Sequence, residues 1–120
     1  MKGNIESYLK AAQQGSEWLV SKQQEDGSIT KAEVYYKAPY ALSVTGRALE
    51  ANKLISWIKT DVLQDNGDLN KNTYKNSWIV QGAHRLARFD VSLPGMGYIL
   101  QTQAACGGFC ATHDTSQIVE

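Results

Sequence analysis

The chain has 120 residues, of which 42% are hydrophobic and 20% charged, as in one small globular domain or a piece of one. Lys plus Arg and Asp plus Glu each number 12, and this balance removes the electrostatic basis of a nucleic-acid-binding function. No stretch is apolar over the length of a bilayer span, and the mixed-charge N-terminus lacks the apolar region of a signal peptide. The composition therefore favours a cytoplasmic protein.

The first half of the chain has helical periodicity. Apolar residues recur at helical spacing between positions 5 and 12, and the pattern continues to a glycine turn near position 27. Pro39 is well placed as the first residue of a second helix, which we expect to extend to Glu50. Asn52 is a plausible break before a third helix over residues 53–63.

The second half predicts further helices. Asn76 or Ser77 can cap a fourth helix that runs to about position 88. The stretch FDVSLPG, residues 89–95, is expected to connect it to a fifth helix over residues 96–103. Asp114 or Thr115 can be the N-cap of one more helix, with residues 117–120 as its first turn.

Three glycine turns divide the chain at a constant interval. The sequences QEDGSI, QDNGDL and ACGGF place their turn glycines 40 residues apart, at positions 27, 67 and 107. Residues 15–29 and 95–109 also align without gaps at an offset of 80, with agreement at Gly15/Gly95, Trp18/Tyr98, Leu19/Ile99, Gln23/Gln103, Gly27/Gly107 and Ile29/Phe109. The middle copy keeps its glycine but lacks the glutamine four residues before it. We predict helical repeats of about 40 residues; the alternatives are three unrelated loops in a helical bundle, or β-hairpins at the glycine dipeptides.

The aligned positions define the pattern Gly-x2-aromatic-Leu/Ile-x3-Gln-x3-Gly-x-aromatic/apolar. This pattern resembles the QW motif of the squalene and hopene cyclases, whose relatives include protein prenyltransferase β subunits. The first copy departs from the motif by ending in Ile29, where Trp is usual, and the other aligned copy ends in Phe109. The resemblance covers the chain from Gly15 onward.

The resemblance implies an all-α fold in which residues 1–120 form a single, partial α/α-toroid domain. Inner and outer helices would alternate in the repeats around a central cavity. The implied function is that of a portion of a terpene cyclase- or prenyltransferase-like protein that acts on a hydrophobic substrate, either an isoprenoid or another natural product. Gln23, Gly27, Gln103 and Gly107 would then be scaffold residues, because a Gln amide can satisfy backbone groups at helix ends and Gly permits a tight turn.

In such toroids the cavity is lined by inner helices and the loops that enter them. Those loops place five candidate substrate-binding residues here, namely Tyr36, Lys37, Tyr40, Tyr74 and Trp78. Aromatic faces suit a hydrophobic or cationic ligand. For Tyr40 and Trp78 the alternative, that they are large core residues, is favoured. His113 and Asp114 are the acid–base candidates for catalysis. His84, alone on its helix, is expected to be structural.

Metal chemistry has little support in the sequence. The DxDD and DDxxD motifs of the better-known relatives are missing, so we expect no cofactor, with Mg²⁺ or Zn²⁺ as the alternative. Cys106, Cys110 and His113 form C-x3-C-x2-H, a possible zinc site that lacks a second ligand arm. We expect the two cysteines to be free thiols.

Two and a half such units cannot close a ring of five or six helix pairs. We therefore expect the chain to be a fragment of a longer protein that is inactive by itself. Alone it would expose apolar helix faces and form homo-oligomers. The alternative function is a non-catalytic helical-repeat module for binding or oligomerisation.

Overall fold

The computed structural model describes residues 2–29, 35–110 and 118–119. Over these residues the chain forms five helices: α1 (Lys2–Ser21), α2 (Ala38–Val44), α3 (Ala48–Asp61), α4 (Thr73–Arg85) and α5 (Phe89–Gln101). Two short antiparallel strands, β1 (Phe109–Cys110) and β2 (Ile118–Val119), follow them. The all-α prediction is confirmed, and the toroid remains a prediction.

The helices in the first half differ from the predicted ones at their ends. Pro39 lies in the first turn of α2 as predicted, but α2 ends well before Glu50. Gly46 adopts a φ of +82°, which breaks the helical path and allows α3 to start in a new direction. Asn52 is not a break, because it lies inside α3 and donates from its side-chain amide to the Ala48 carbonyl at 2.9 Å.

The start of α4 was predicted too late. Asn72 is the N-cap, and its side chain accepts a hydrogen bond from the Lys75 backbone N–H at 3.1 Å. Asn76 and Ser77 lie one turn inside the helix. Asn76 is fully buried there and serves the loop that precedes the helix.

The stretch predicted as a connection, residues 89–95, is the first half of α5. Asp90 lies in the first turn, where a carboxylate interacts favourably with the helix dipole. Pro94 lies inside the helix. It removes one intrahelical hydrogen bond, a loss that the packing of the remaining helix tolerates.

The helices pack in a simple sequence of neighbours. α2 packs against α3 and α4, and α4 packs against α5. The core between them is aliphatic, and its largest fully buried apolar side chains are Leu42, Leu54, Ile55, Ile58, Leu69, Ile79 and Val91. Within the described part of the chain, no helix is both long and apolar enough to cross a membrane.

The three glycine turns have one backbone geometry. Their glycines, Gly27, Gly67 and Gly107, have φ angles of +92°, +91° and +97°. In each turn a backbone N–H three positions before the glycine donates to the carbonyl one position after it, in the pairs Gln24–Ser28 at 2.8 Å, Gln64–Asp68 at 2.9 Å and Ala104–Gly108 at 2.6 Å. The same local structure therefore recurs at intervals of 40 residues.

A glutamine closes the first and third turns. Gln23 donates from its side-chain amide to the Gly27 carbonyl and to the Glu50 carbonyl, both at 2.9 Å. Gln103 donates to the Gly107 carbonyl at 2.8 Å. The second bond of Gln23 joins the first turn to α3.

Candidate ligand-binding site

The candidate site lies where the N-termini of α2 and α4 come together. Gly82 allows this approach, because a Cβ there would lie 2.7 Å from both the Pro39 Cβ and the Tyr40 backbone nitrogen. A contact under 3.0 Å to backbone forces a displacement, so any larger residue at this position separates the two helices. Gly82, in the C-terminal half of α4, thereby holds the first turn of α2 against that helix.

Four aromatic rings form a continuous cluster at this junction. Tyr40 lies 5.7 Å from Trp78, measured between ring centroids, with an interplanar angle of 72°. Trp78 lies 6.4 Å from Tyr74, and Tyr74 lies 6.2 Å from Tyr36. All three pairs are edge-to-face, the arrangement that the ring quadrupoles favour.

Two lysines lie against these rings. The Lys37 ammonium is 5.3 Å from the ring centroid of Trp78, 5.5 Å from that of Tyr74 and 5.8 Å from that of Tyr36. The Lys75 ammonium is 5.3 Å from the Tyr36 centroid. Each contact is within the range of a cation–π interaction.

The same contacts bias the ionisation of the site. Hydrogen bonding to Tyr74 raises the pKa of the Lys37 ammonium, so Lys37 stays charged. Hydrogen bonding to Lys37 and Trp78 lowers the pKa of the Tyr74 hydroxyl. Because both groups are exposed, these pKa shifts indicate where charge lies in the site and do not imply a contribution to the free energy of unfolding.

All five predicted substrate-binding residues are members of this one cluster, which we call the aromatic cluster: Tyr36, Lys37, Tyr40, Tyr74 and Trp78. Tyr36, Tyr40 and Trp78 are half-buried, whereas Lys37 and Tyr74 are exposed. The cluster is thus accessible from solvent and is not part of the closed core. The predicted catalytic residues, His113 and Asp114, lie outside the described residues.

Buried polar side chains in α4 and in the loop before it form a hydrogen-bond network that supports the aromatic cluster. The Asp68 carboxylate is buried and accepts from the Asn76 side-chain amide at 3.2 Å and from the Lys71 backbone N–H at 2.8 Å. The Asn76 side-chain oxygen accepts from the Leu69 N–H at 2.7 Å. These bonds fix the loop that leads into α4, and with it the position of Tyr74.

Tyr35 extends this network on the side of α3. Its hydroxyl donates to the Leu69 carbonyl at 3.2 Å and accepts from the Asn70 side chain at 2.7 Å. Burial raises the pKa of this hydroxyl, which keeps it protonated and able to donate. Sequence reasoning missed Tyr35, Asp68 and Asn76 as supports; the QDNGDLNKN run of turn formers was the available signal.

A surface depression of about 360 Å³ adjoins the aromatic cluster at Tyr40. Its other lining residues are Val80, Gln81, His84, Arg85 and Met96. His84 contacts Ser92 through its Nδ1 at 3.4 Å and lies 5.3 Å from the Phe89 ring. The apolar side chains around the depression extend the surface that an elongated ligand could contact.

Within residues 2–29, 35–110 and 118–119, no three His, Cys, Asp or Glu side chains are grouped as metal ligands. Cys106 is an exposed free thiol. The third member of the possible zinc site, His113, lies outside the described residues. The sequence-based alternative of a zinc or magnesium site therefore stays a prediction.

The chain was compared with protein-family models, with curated proteins and with solved structures, and it matches none of them. What the site can bind is consequently argued from its own chemistry.

Proposed function

We propose that the aromatic cluster binds an elongated hydrophobic molecule of the isoprenoid type. The observation that carries the proposal is the convergence of four rings and the Lys37 ammonium on one solvent-accessible surface. When an apolar chain covers exposed aromatic faces, apolar surface is removed from water, which favours binding. This is the role that the QW-like pattern implies for these residues.

The charges at the site favour a ligand with an anionic end. Lys37 and Lys75 already lie over the rings, so a cationic ligand would meet two ammonium groups of like charge. A phosphate or carboxylate would instead accept charge-assisted hydrogen bonds from them. We therefore propose an isoprenoid-type chain that ends in a phosphate-like group as the ligand class.

The proposed protein class is a portion of a terpene cyclase- or prenyltransferase-like α/α toroid. In that class His113 and Asp114 would exchange protons with the bound molecule. No resident metal is included in the proposal; Mg²⁺ bound with a diphosphate, or Zn²⁺, is the alternative.

Calorimetric titration with farnesyl diphosphate tests the binding proposal, with farnesol and inorganic diphosphate as matched half-ligands. We expect the whole molecule to bind at least about tenfold more tightly than either half, because rings and lysines act together. Lys37→Met keeps an unbranched, flexible side chain but removes the charge, and should weaken binding about tenfold. Lys53→Met, on the exposed surface of α3, is the matched control and should bind as the unaltered protein does.

Gly82→Leu gives a second test, since it forces α2 and α4 apart without replacing any residue of the aromatic cluster. It should weaken binding while the helical content measured by circular dichroism stays the same. Absence of binding at about 1 mM, or equal loss in Lys37→Met and Lys53→Met, contradicts the proposal.

A second candidate function is a non-catalytic helical-repeat module. It is favoured by α1, on which Ile5, Tyr8, Leu9 and Trp18 are exposed large hydrophobic residues. A surface of this kind marks an interaction site in a folded protein. Tyr8→Glu distinguishes the two functions. It places a charge on the exposed apolar surface of α1, and it should leave the affinity for farnesyl diphosphate unchanged.

A further inference from the structure

Two of the three glycine turns are covered by a long helix later in the chain. Gly27 lies against α3, where an added Cβ would overlap the Lys53 carbonyl, and Gly67 lies against α5, where it would overlap the Pro94 carbonyl. Both glycines are buried. Gly107 is exposed, and no described atom lies within 4 Å of the position of its Cβ. The third turn thus presents the same surface without a described helix on it.

The surface that would cover such a turn is repeated on α1. The residues of α3 that touch the Gly27 turn are Glu50 and Lys53, and those of α5 that touch the Gly67 turn are Pro94 and Tyr98. Their counterparts on α1, 40 residues before the α3 positions and 80 before the α5 positions, are Lys10, Gln13, Gln14 and Trp18, and all four are exposed. Trp18 is 57% exposed, whereas the side chains at 58 and 98 are 0% and 7% exposed.

The other contacts of α1 agree with this correspondence. Arg88, at the start of α5, donates to the Asn52 carbonyl at 3.1 Å and to the Ser56 hydroxyl at 2.9 Å on α3. The counterparts of those two positions on α1, Ala12 and Ser16, line a cleft with residues 44–47 at the start of α3. The side of α1 at Ala12 and Ser16 therefore faces its own chain. Gln13 lies at this cleft too, whereas Gln14 and Trp18 are not among its lining residues.

We propose that the Gly107 turn of one molecule docks on α1 of a second copy of the same chain. The contact repeats those of the Gly27 turn with α3 and of the Gly67 turn with α5. Gly107 would lie against the backbone at Gln13 and Gln14, and the Gln103 side chain would donate to the Lys10 carbonyl, as Gln23 donates to the Glu50 carbonyl. This proposal does not depend on the proposed ligand.

A second copy is the occupant because one chain carries both halves of a contact that it already makes twice internally. The two halves are different surfaces, so the interface is heterologous and joins molecules head to tail, into a closed ring or an open chain. The formal net charge of zero adds no general repulsion between copies. Residues 95–109 align with residues 15–29, so the Gly107 turn has the same sequence pattern as the Gly27 turn that α3 covers.

Two single substitutions each block one of the two docking surfaces. Trp18→Glu places a charge on the α1 face, and Gly107→Asn places a side chain where the second helix would lie. Asn tolerates a positive φ, and no described atom obstructs it within one molecule, so the turn itself can persist. Leu49→Glu, at an apolar residue on α3 that is 68% exposed and belongs to neither surface, is the matched control.

Analytical ultracentrifugation over about 5–500 μM measures the association. We expect the unaltered protein and Leu49→Glu to gain mass with concentration, and each blocking variant alone to associate at least about tenfold more weakly. A mixture of the two blocking variants keeps one intact turn and one intact α1. The mixture should therefore form a 1:1 dimer and nothing larger.

Several results overturn the proposal. One is an unaltered protein that stays monomeric at about 500 μM; another is association that neither variant weakens. A mixture that fails to form dimers rules out a head-to-tail contact. Circular dichroism checks that each variant is folded, and Gln14→Glu with Gln103→Ala is the replacement pair if one of the first pair is not.

Discussion

The turns at Gly27 and Gly67 differ from the turn at Gly107 in their surroundings, while the backbone is the same in all three. The φ angles agree within a few degrees and the hydrogen bonds within each turn are equivalent. The first two turns are buried under α3 and α5, and no described helix covers the third. Local sequence is therefore enough to build the turn, and packing adds a second, independent requirement for glycine at two of the three positions.

Replacement of each glycine by Ala separates these two requirements and has the largest expected effect. At Gly67 the new Cβ would have a strained positive φ and would overlap the Pro94 carbonyl, so we expect a loss of about 4 kcal/mol in the free energy of unfolding. Gly27→Ala, against Lys53, should be similar. Gly107→Ala has the strain alone and should lose about 1–2 kcal/mol.

Urea unfolding at a low micromolar protein concentration measures these values. The low concentration matters because docking of a second copy on the Gly107 turn would add the packing requirement there as well. Equal losses at all three positions would contradict the distinction between covered and open turns.

The middle turn has a support that the other two lack. Asn76 is fully buried and bonds to the Asp68 carboxylate and to the Leu69 N–H, whereas positions 36 and 116 hold Tyr and Ser. Asn76→Ala leaves both partners buried without this bond, and should cost about 2–4 kcal/mol in urea unfolding. Asn4→Ala, at an exposed position on α1, should cost little. A small loss for Asn76→Ala would show that the loop does not depend on this network.

Replacing the two glutamines tests the same difference between covered and open turns, with a smaller expected loss of stability. Gln23→Ala removes one bond within its turn and one to Glu50 on α3, so we expect a loss of about 1–2 kcal/mol. Gln103→Ala removes a single exposed bond and should lose at most about 0.5 kcal/mol in dilute thermal or urea unfolding. The ratio of the two losses is the result to watch, since a larger loss for Gln103 would mean that the third turn is not open.

The turns were predictable because each depends on a few residues close in sequence. A glycine with positive φ and, in the first and third turns, a glutamine four residues before it leave a clear pattern at a fixed interval. Helix ends were less predictable. Asn52 was assigned as a break because Asn favours turns, but its amide is satisfied inside α3. Pro94 was assigned to a connection for a similar reason, and lies within α5.

The residues of the candidate site also divide into those that the sequence predicts and those that it does not. The aromatic residues and Lys37 were found because their side chains have distinctive chemistry and lie next to helix starts. The supports were not found, because the roles of Asp68 and Tyr35 depend on burial by residues distant in sequence, such as the 35-residue separation between Tyr35 and Asn70. Whether a carboxylate is buried cannot be read from its neighbours in the chain.

The last expected effect, also small, concerns the attachment of α5, the helix that covers the Gly67 turn. Asp90 pairs with Arg88 at 3.1 Å and with Lys59 at 3.2 Å, and hydrogen bonding to Arg88 lowers its pKa from 3.8 to about 2. A lowered pKa stabilises the folded state above about pH 4, and this contribution is lost as the pH falls toward 2. Because the Asp90 side chain is 36% exposed, solvent screening limits the contribution to under about 1 kcal/mol.

Asp90→Asn should therefore unfold slightly more easily than the unaltered protein at pH 7, and the difference should shrink steadily between pH 5 and pH 2. Urea unfolding at a series of pH values measures it, with Glu6→Gln on the exposed surface of α1 as the control. A difference that stays constant over this range would mean that Asp90 acts through the geometry of the first turn of α5 and not through its charge. In that case the covered turn at Gly67 would depend on the Lys59–Asp90 ion pair between α3 and α5 even less than the exposure of Asp90 indicates.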